Sequence, residues 1–382
     1  MQTVLLNDFK RQWSEIGEEV RHAVEAVGAS GWYVLGAQVA GFEQDLAQFW
    51  GLANAVGVGS GLDALEIGLR ALGLRCGDRV LTTPLSAFAT TMAIVRLGGV
   101  PVFCDTDAKG LLDLEQAEAV LAADPGIRFL LPVHLFGQSL DLDRLAALRD
   151  RYGVGIVEDC AQSIGAEWCG RPTGSVGRLA ATSFYPTKNL GALGEGGAVL
   201  TGDAELAARV RRLRDYGQSA KYRHDEIGWN SRLDELQAAI LRGAMLPRLR
   251  EWTRRRQQVA AAYSAGMRHA GVRLLRPTDG EASCEHLFPV TVAPERREQF
   301  EAHLKSRGIA TGRHYPILIP DQPALAGVRV ERHGELSMAR GLASSEVSLP
   351  IHPQLTGEEV ERVIAAVNEW PAEDPTKDPL KD

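Results

Sequence analysis

The chain has 382 residues, of which 45% are hydrophobic and 24% are charged. This balance is ordinary for a globular protein and excludes a disordered chain, a fibrous repeat and a small disulfide scaffold. With 42 basic and 49 acidic residues, the formal net charge is −7. We therefore expect neither nucleic acid nor a membrane as a partner, and a phosphate-bearing ligand needs a local site.

Short apolar runs alternate with helical patterns along the first two thirds of the chain. Apolar residues recur at helical spacing over residues 38–50 and 61–73. Seven other runs are nearly all apolar, as is typical of strands buried on both faces of a sheet. These runs cover residues 55–58, 79–83, 100–104, 129–134, 155–158, 180–184 and 198–201. The pattern predicts an α/β fold with a mostly parallel, roughly seven-stranded sheet flanked by helices.

The rest of the chain has a different pattern. Helical, Arg-rich segments cover residues 204–214 and 233–266, and strand and helix patterns mix after residue 271. The later elements are a strand at 287–292, helices at 296–308 and 356–369, and a loop at 314–323. We expect a large domain over residues 1–255 and a smaller α+β domain over 256–372. The charged segment 373–382 has the composition of a disordered tail.

The cellular compartment is predicted from three further features. The longest uncharged stretch, residues 80–95, is shorter than the ~20 apolar residues of a spanning helix. The first 13 residues lack the basic and apolar regions of a signal peptide. The five cysteines form no C-x-x-C pair, which is typical of reduced thiols. These features predict a cytoplasmic protein.

Lys188 is the residue that most clearly indicates chemistry. It follows the apolar run 180–184 and the strand-ending Pro186, and a glycine-rich loop comes next. One interpretation is a solvated loop lysine. The other is an amine nucleophile for a carbonyl cofactor, because desolvation lowers the pKa of a lysine.

Asp159 supports the second interpretation of Lys188. It follows the predicted strand 155–158, and the carboxyl ends of parallel strands face the crevice where ligands bind. A carboxylate there can pair with the ring nitrogen of pyridoxal phosphate (PLP) and keep it protonated. Gln162 could bond the phenolic oxygen of the same ring. The alternative for Asp159 is a helix N-cap.

A phosphate group could bind at the segment GVGSGLDAL, residues 57–65. It contains a strand end, a turn and a helix start, so the amides of Gly61 and Leu62 would be free to bind an anion. Ser183 could add a hydroxyl, and Phe88 could stack on a ring. The alternatives are a capped turn and a core phenylalanine. No metal-binding pattern is present, so no metal site is predicted.

Together these motifs resemble the nucleotide-sugar aminotransferases of the DegT/DnrJ/StrS type, which are fold-type I PLP enzymes with an aspartate aminotransferase-like fold. The resemblance covers nearly the whole chain and rests mainly on GSGLDAL, TPLSAFATT, VEDCAQSIGA, SFYPTKNLGALGEGG and GWNSRLDELQAAIL. It implies a transaminase of amino-sugar biosynthesis, for lipopolysaccharide or antibiotic sugars. It further implies a nucleotide-linked keto-hexose as acceptor, L-glutamate as donor with 2-oxoglutarate as its product, and pyridoxamine phosphate as the intermediate cofactor form.

The resemblance also implies a role for each cofactor residue. Lys188 would form the Schiff base with PLP and move the proton. Asp159 would contact the ring nitrogen of the cofactor, Gln162 its phenolate oxygen and Phe88 the face of its ring. Its phosphate would be bound by Gly61, Leu62 and Ser183. Many members have threonine where this chain has Leu62, which removes one hydroxyl from the phosphate site.

The resemblance places part of each active site on a neighbouring subunit, and so implies a homodimer with shared sites. Asn230 would reach the neighbour's phosphate, and Arg232 would bind the carboxylate of the amino donor. His134, His314 and Tyr315 are the candidates for contact with the substrate. For His134 the alternative is a histidine packed at a strand end.

The position of amination is predicted from subgroup motifs. GLDAL, PVHLFGQ, SAKYRH and GWNSRLDE resemble members that act on 3-keto sugars, and a 4-keto sugar is the alternative. A non-catalytic sugar-binding or regulatory relative is the remaining alternative. The presence of Lys188, where dehydratase relatives have histidine, favours transamination.

Overall fold

The computed structural model describes residues 3–372, so the predicted disordered tail lies outside the described residues. No helix among the described residues is long and apolar enough to cross a membrane. The α-helices in this part of the chain are α1 (Phe9–Ser30), α2 (Ala37–Trp50), α3 (Gly61–Leu72), α4 (Phe88–Arg96), α5 (Leu114–Ala123), α6 (Leu142–Tyr152), α7 (Ala204–Leu213), α8 (Glu235–Ile240), α9 (Leu249–Gly266), α10 (Arg297–Ser306), α11 (Ser337–Ser345) and α12 (Gly357–Asn368).

The strands of the same part are β1 (Asn54–Val58), β2 (Arg79–Thr82), β3 (Val100–Phe103), β4 (Ile127–Leu131), β5 (Gly155–Asp159), β6 (Glu167–Trp168), β7 (Arg171–Pro172), β8 (Leu179–Ser183), β9 (Gly197–Thr201), β10 (Gln218–Ala220), β11 (Arg223–His224), β12 (Arg273–Leu274), β13 (Glu281–Ala282), β14 (Phe288–Thr291), β15 (Glu331–Arg332) and β16 (Glu346–Leu349).

Eight of these strands form one large sheet in the order β1-β9-β8-β5-β4-β2-β3-β15. Only β9 runs antiparallel to its neighbours; the other pairs are parallel. The predicted mostly parallel α/β sheet is therefore confirmed. All seven predicted strands are present, and β15 is an eighth, two-residue strand that pattern reasoning did not find.

The sheet is buried on both faces, which explains its continuous apolar runs. Val56 and Val58 of β1 pack with Leu65 of α3 on one face. Ala55, the residue before Val56, packs with Phe42 of α2 on the other face. Because alternate side chains of a strand point to opposite faces, helices on both sides favour apolar residues at every strand position.

The long helical segment predicted at 233–266 is interrupted in the structure. α8 continues into a π-helical turn at Leu241–Met245 and a 3-10 turn at Leu246–Arg248, and α9 begins at Leu249. Pro247 lies inside the 3-10 turn. Proline has no N–H for the helical ladder and clashes with the preceding turn, so an unbroken helix is disfavoured there.

A second, three-stranded antiparallel sheet has the order β12-β14-β16. Its core includes Tyr263 of α9 and Phe288 of β14, whose rings are 5.0 Å apart in a T-shaped arrangement. α9 crosses the predicted boundary at residue 255, and β15 of the predicted small domain pairs with β3. The division into two domains stays a prediction.

Candidate active site

Three of the predicted cofactor residues lie at or just after the carboxyl ends of two adjacent strands. Asp159 is the last residue of β5 and Ser183 the last of β8, and the two strands pair in parallel. Lys188 lies in the turn after β8, and its backbone N–H donates to the carbonyl of Tyr185 at 2.8 Å. This is the sheet edge at which open α/β folds bind ligands.

The amine of Lys188 is available for chemistry. Its side chain is half-buried, and no hydrogen bond or ion pair engages the amine within residues 3–372. Burial lowers the pKa of Lys188 to about 8, although the nearby Asp159 acts in the opposite direction. The unprotonated, nucleophilic form of the amine is therefore more populated near neutral pH than in an ordinary lysine.

Asp159 is a buried carboxylate that forms no ion pair within residues 3–372. Its Oδ2 accepts a hydrogen bond from the Thr90 hydroxyl at 2.9 Å, and its Oδ1 accepts one from the Ala161 amide at 3.1 Å. Burial raises the pKa of Asp159, while Thr90, Ala161 and Lys188 lower it by a smaller amount. The helix-cap alternative accounts for only part of this geometry. A carboxylate with neutral donors alone is suited to a ligand that supplies a positive charge.

Gln162 connects the turn after β5 to the predicted substrate loop. Its Oε1 accepts from the Phe136 amide at 2.7 Å, and its Nε2 donates to the Tyr315 hydroxyl at 3.1 Å. The amide nitrogen of glutamine has two hydrogens, so one N–H remains for a ligand. Tyr315 thus lies against the turn that follows Asp159, and burial raises its pKa to about 12.

The turn before α3 has the geometry of an anion site. The Ser60 hydroxyl caps the helix by accepting from the Asp63 amide at 3.1 Å. The amides of Gly61 and Leu62 belong to the first helical turn, where no intrahelical carbonyl can accept from them. A Cβ on Gly61 would lie 2.6 Å from Cβ of Ser183. Glycine is therefore required for this close approach of the turn to β8.

Phe88 is the first residue of α4 and is half-buried. Thr90, two residues later in the same helix, contacts Asp159. Phe88 thus lies beside the site, and it also packs against the core cluster of the sheet. The core contact agrees with the alternative of a packed phenylalanine, and stacking on a cofactor ring stays a prediction.

His134 does not fit the predicted contact with sugar or cofactor. It is fully buried; its Nε2 lies 2.8 Å from Oε2 of Glu158, and its Nδ1 accepts from the Leu140 amide at 3.1 Å. Both ring nitrogens are occupied inside the protein, as the packed-histidine alternative expects. Cys160 lies within 4.8 Å of this pair, but burial raises the pKa of its thiol well above the ordinary value. Internal hydrogen bonds explain the cluster without a metal.

The remaining predicted residue of the substrate loop, His314, is half-buried near Lys188. Its Nδ1 lies 2.9 Å from the Ser348 hydroxyl, and its backbone N–H donates to Glu346 at 2.7 Å. Burial, together with the charge of Lys188, lowers the pKa of His314 to about 4. The ring is therefore neutral at physiological pH.

Sequence reasoning missed two residues beside Lys188. Asn189 donates from Nδ2 to the Cys284 carbonyl at 2.9 Å, and its Oδ1 lies 3.1 Å from Nδ1 of His286. Burial and the charge of Lys188 lower the pKa of His286 well below its usual value. Asn189 could have been found as the neighbour of Lys188 in the chain. Nothing in the spacing of His286 indicates that it lies there.

Asn230 and Arg232 lie on a partly exposed segment next to the anion turn. Arg232 donates to Asp215 Oδ1 at 2.9 Å, and Asn230 forms an isolated bridge with the same residue. Ser231, between them, contacts the turn: its hydroxyl accepts from the Gly59 amide at 2.9 Å. Within residues 3–372, neither Asn230 nor Arg232 contacts Lys188 or Asp159.

A reactive amine near a buried carboxylate that forms no ion pair among the described residues suits a carbonyl cofactor with a basic ring nitrogen. The sequence profile of the DegT/DnrJ/EryC1/StrS aminotransferase family matches residues 14–368. The chain belongs to this family.

Individual relatives agree with this assignment. The chain is 43% identical to the dTDP-3-amino-3,4,6-trideoxy-alpha-D-glucose transaminase of Streptomyces venezuelae, with 95% of each chain covered. The crystal structure of S. venezuelae DesV in complex with a ketimine intermediate superposes with a TM-score of 0.92 at 43% identity, covering 97% of this chain and 99% of that one. NtdA from Bacillus subtilis, solved with bound cofactor PMP, gives a TM-score of 0.87 at 28% identity, covering 96% and 85%.

The protein is therefore a PLP-dependent aminotransferase, and the residues present fit that cofactor. Lys188 offers a free amine for its aldehyde, and the buried carboxylate of Asp159 could hold a protonated ring nitrogen. The amides of Gly61 and Leu62 are placed for a phosphate. When bound, PLP supplies an electron sink that lets the nitrogen move between donor and acceptor.

Proposed function

We propose that this aminotransferase transfers the amino group of L-glutamate to the third carbon of a nucleotide-linked 3-keto-hexose. The observation that carries the proposal is the Lys188 amine beside the buried carboxylate of Asp159. Lys188 would bind the cofactor and move the proton between the two carbon atoms that exchange it. Asp159 would hold the ring nitrogen, Phe88 the ring face, Gln162 the phenolic oxygen, and Ser183, Gly61 and Leu62 the phosphate.

Two observations support the third carbon as the position of amination. The segments GLDAL, PVHLFGQ and GWNSRLDE resemble those of the 3-keto subgroup. The Streptomyces venezuelae relative is named for a 3-amino sugar. His314 and Tyr315 would contact the substrate from the loop over the site.

The substrate is tested by supplying purified, PLP-loaded protein with L-glutamate and matched 3-keto and 4-keto nucleotide sugars, followed by mass spectrometry. We expect the amino sugar from the 3-keto substrate only, together with 2-oxoglutarate. Amination of the 4-keto sugar alone would show that the amino group is transferred to the fourth carbon, and the assignment as a transaminase would still hold. The absence of amination with every sugar, while the protein binds PLP, would support the non-catalytic or regulatory alternative.

We further propose that the working unit is a homodimer. Apolar side chains remain exposed on both sides of Lys188 along the chain: Tyr185 is 48% and Leu193 is 47% exposed. Phe9 and Trp13 of α1 are similarly exposed and line an apolar groove with Leu193. Contiguous exposed apolar surface of this kind is typical of a protein interface, and a second copy of the chain would cover it.

The segment that carries Asn230 and Arg232 also favours a shared site. Successive side chains of an extended segment point to opposite sides. Ser231 contacts its own anion turn, so the side chains on either side of it point away from that turn. Asn230 and Arg232 would reach the cofactor phosphate and the donor carboxylate of the neighbouring subunit, where a planar guanidinium suits bidentate binding.

Mixing two inactive variants tests the shared site. Lys188→Ala and Arg232→Ala homodimers should each be inactive, and subunit exchange should restore roughly a quarter of wild-type activity, since half of the dimers are mixed and each contains one intact site. The same mixture made with Lys188→Ala and a second Lys188→Ala preparation is the control and should stay inactive. If mass spectrometry shows mixed dimers and activity does not return, Arg232 serves its own subunit.

We place this reaction in the cytoplasm. All five cysteines are free in the structure, and three of them are buried. Free thiols are typical of a reducing compartment, which agrees with the expectation from their spacing.

A further inference from the structure

A chain of hydrogen bonds links His314 to a buried carboxylate. Glu346 is the first residue of β16 and is 2% exposed. Its Oε1 accepts from the Ser348 hydroxyl at 2.5 Å, and Oγ of Ser348 lies 2.9 Å from Nδ1 of His314. Its Oε2 accepts from the backbone N–H of His314 at 2.7 Å. The ring and the backbone of His314 are therefore both hydrogen-bonded to side chains of β16.

The direction of these bonds determines which ring nitrogen of His314 carries the proton. A serine hydroxyl has one hydrogen, and Ser348 donates it to the carboxylate. At its contact with His314 the hydroxyl oxygen can then only accept, so Nδ1 must be the protonated nitrogen. The ring is neutral, because burial and the charge of Lys188 lower its pKa to about 4. The other nitrogen, Nε2, is consequently a hydrogen-bond acceptor.

Nε2 is the nitrogen that remains for a ligand. It has no hydrogen-bond partner within residues 3–372. The next residue, Tyr315, contacts Gln162 at 3.1 Å, which places the loop against the turn that follows Asp159. Lys188 is close enough for its charge to act on the His314 ring. The His314 ring therefore lies near Lys188, and the lone pair of its Nε2 is available to a ligand.

We infer that Glu346 and Ser348 are positioning residues, which fix His314 with Nδ1 protonated so that Nε2 accepts a hydrogen bond from the amine entering beside Lys188. This inference rests on the proposed function, because the entering amine belongs to the amino donor. A protonated amine offers only donors. A lone pair at Nε2 attracts it, whereas an N–H at the same place repels it.

The variant Glu346→Gln reverses the direction of the hydrogen bonds that link residue 346 to His314 through Ser348. Its amide oxygen can still accept from the His314 backbone, but its amide nitrogen donates to Oγ of Ser348. The serine hydrogen then goes to Nδ1, and the ring proton moves to Nε2. Ser348→Ala removes the link altogether. Ser345→Ala is the matched control, because the Ser345 hydroxyl donates to the Gly341 carbonyl and does not contact His314.

The tautomer is measured by nitrogen–proton NMR of the PLP-loaded protein with ¹⁵N-labelled histidine. His314→Gln identifies the signals of the ring. Burial raises the pKa of Glu346 to about 7, with Arg297 and Glu301 as the charged groups acting on it, so the spectra are recorded at about pH 9. We expect a protonated Nδ1 in the wild type and in Ser345→Ala, a protonated Nε2 in Glu346→Gln, and mixed populations in Ser348→Ala. A protonated Nε2 in the wild type, or an unchanged tautomer in Glu346→Gln, would overturn the inference.

Separate half-reactions connect the tautomer to function. In Glu346→Gln, the KM for L-glutamate should rise about tenfold, the effect of one lost hydrogen bond to a charged group. The half-reaction with the keto sugar should change less than about threefold, because it begins from a neutral amine that can accept as well as donate. Equal losses in both half-reactions would show a general structural role and contradict the inference. If the wild type uses neither glutamate nor any keto sugar, the proposed function fails, while the NMR result still decides the tautomer.

Discussion

Replacing Lys188 with alanine is expected to reduce turnover by at least about 10⁴-fold, which is the upper range for the loss of one general base. The loss is this large because one amine has two tasks, as the nucleophile for the cofactor aldehyde and as the proton carrier. Within residues 3–372, no other lysine lies in the turn after β8. The visible absorbance of lysine-bound PLP should disappear in the same variant, and this is measured by spectrophotometry with PLP added in excess.

Lys305→Ala is the matched control for this experiment. Lys305 is exposed on α10, far along the chain from the sheet edge, so its loss should leave both spectrum and turnover unchanged. The thermal unfolding of Lys188→Ala should remain cooperative, which separates lost chemistry from lost folding. A variant that keeps the wild-type spectrum and turnover would show that Lys188 is only a loop lysine.

The fold was predictable because its strands are buried on both faces. Residues such as Ala55 and Val56 pack on opposite sides of the sheet, so each strand appears in the sequence as an unbroken apolar run. The two-residue strand β15 has no such run. It pairs with β3 through backbone groups at Glu331 and Arg332, and backbone pairing leaves no pattern of residue types. The break between α8 and α9 falls at Pro247, the internal proline of the helical segment, where the sequence itself indicates a kink.

The site was predictable where a residue lies at a strand end or a turn. Asp159 and Lys188 follow apolar runs and Ser183 lies near the end of one, so their positions at one sheet edge follow from the topology of parallel strands. His134 also ends an apolar run, but its ring turns into the protein to bond Glu158. Sequence position alone does not give the direction of a side chain.

The residues that sequence reasoning missed are brought to the site by chain-distant contacts. Glu346 and Ser348 belong to the second sheet, and β16 reaches the loop of His314 through the bridge between Gly312 and Ser348. A glutamate followed two positions later by a serine in an apolar strand is a pattern without chemical meaning by itself. The pattern indicates a chemical role only when the fold places both side chains against a histidine.

Changing Asp159 to asparagine is expected to reduce turnover by roughly three orders of magnitude while PLP still binds. Asparagine keeps the size of the side chain and can still accept from Thr90 or Ala161, so the pocket should be preserved. It carries no negative charge, however, and cannot hold a proton on the ring nitrogen by a charge-assisted bond. The cofactor would then be a poor electron sink. Single-turnover kinetics with L-glutamate measure the loss, and the visible spectrum confirms that the cofactor is present.

Thermal unfolding provides a second readout that an unspecific structural defect would not reproduce. Burial raises the pKa of Asp159, so above the unfolded pKa of an aspartate its ionised form destabilises the cofactor-free protein. The asparagine side chain of the variant cannot ionise, and the cofactor-free variant should unfold at a slightly higher temperature than the wild type. The increase in Tm on adding PLP should be smaller, because the pairing of carboxylate and ring nitrogen is lost. Asp105→Asn is the control: Asp105 is buried but accepts only backbone amides, so its replacement should lower Tm with and without PLP alike. Near-normal turnover in Asp159→Asn would show that Asp159 only caps the turn that follows β5.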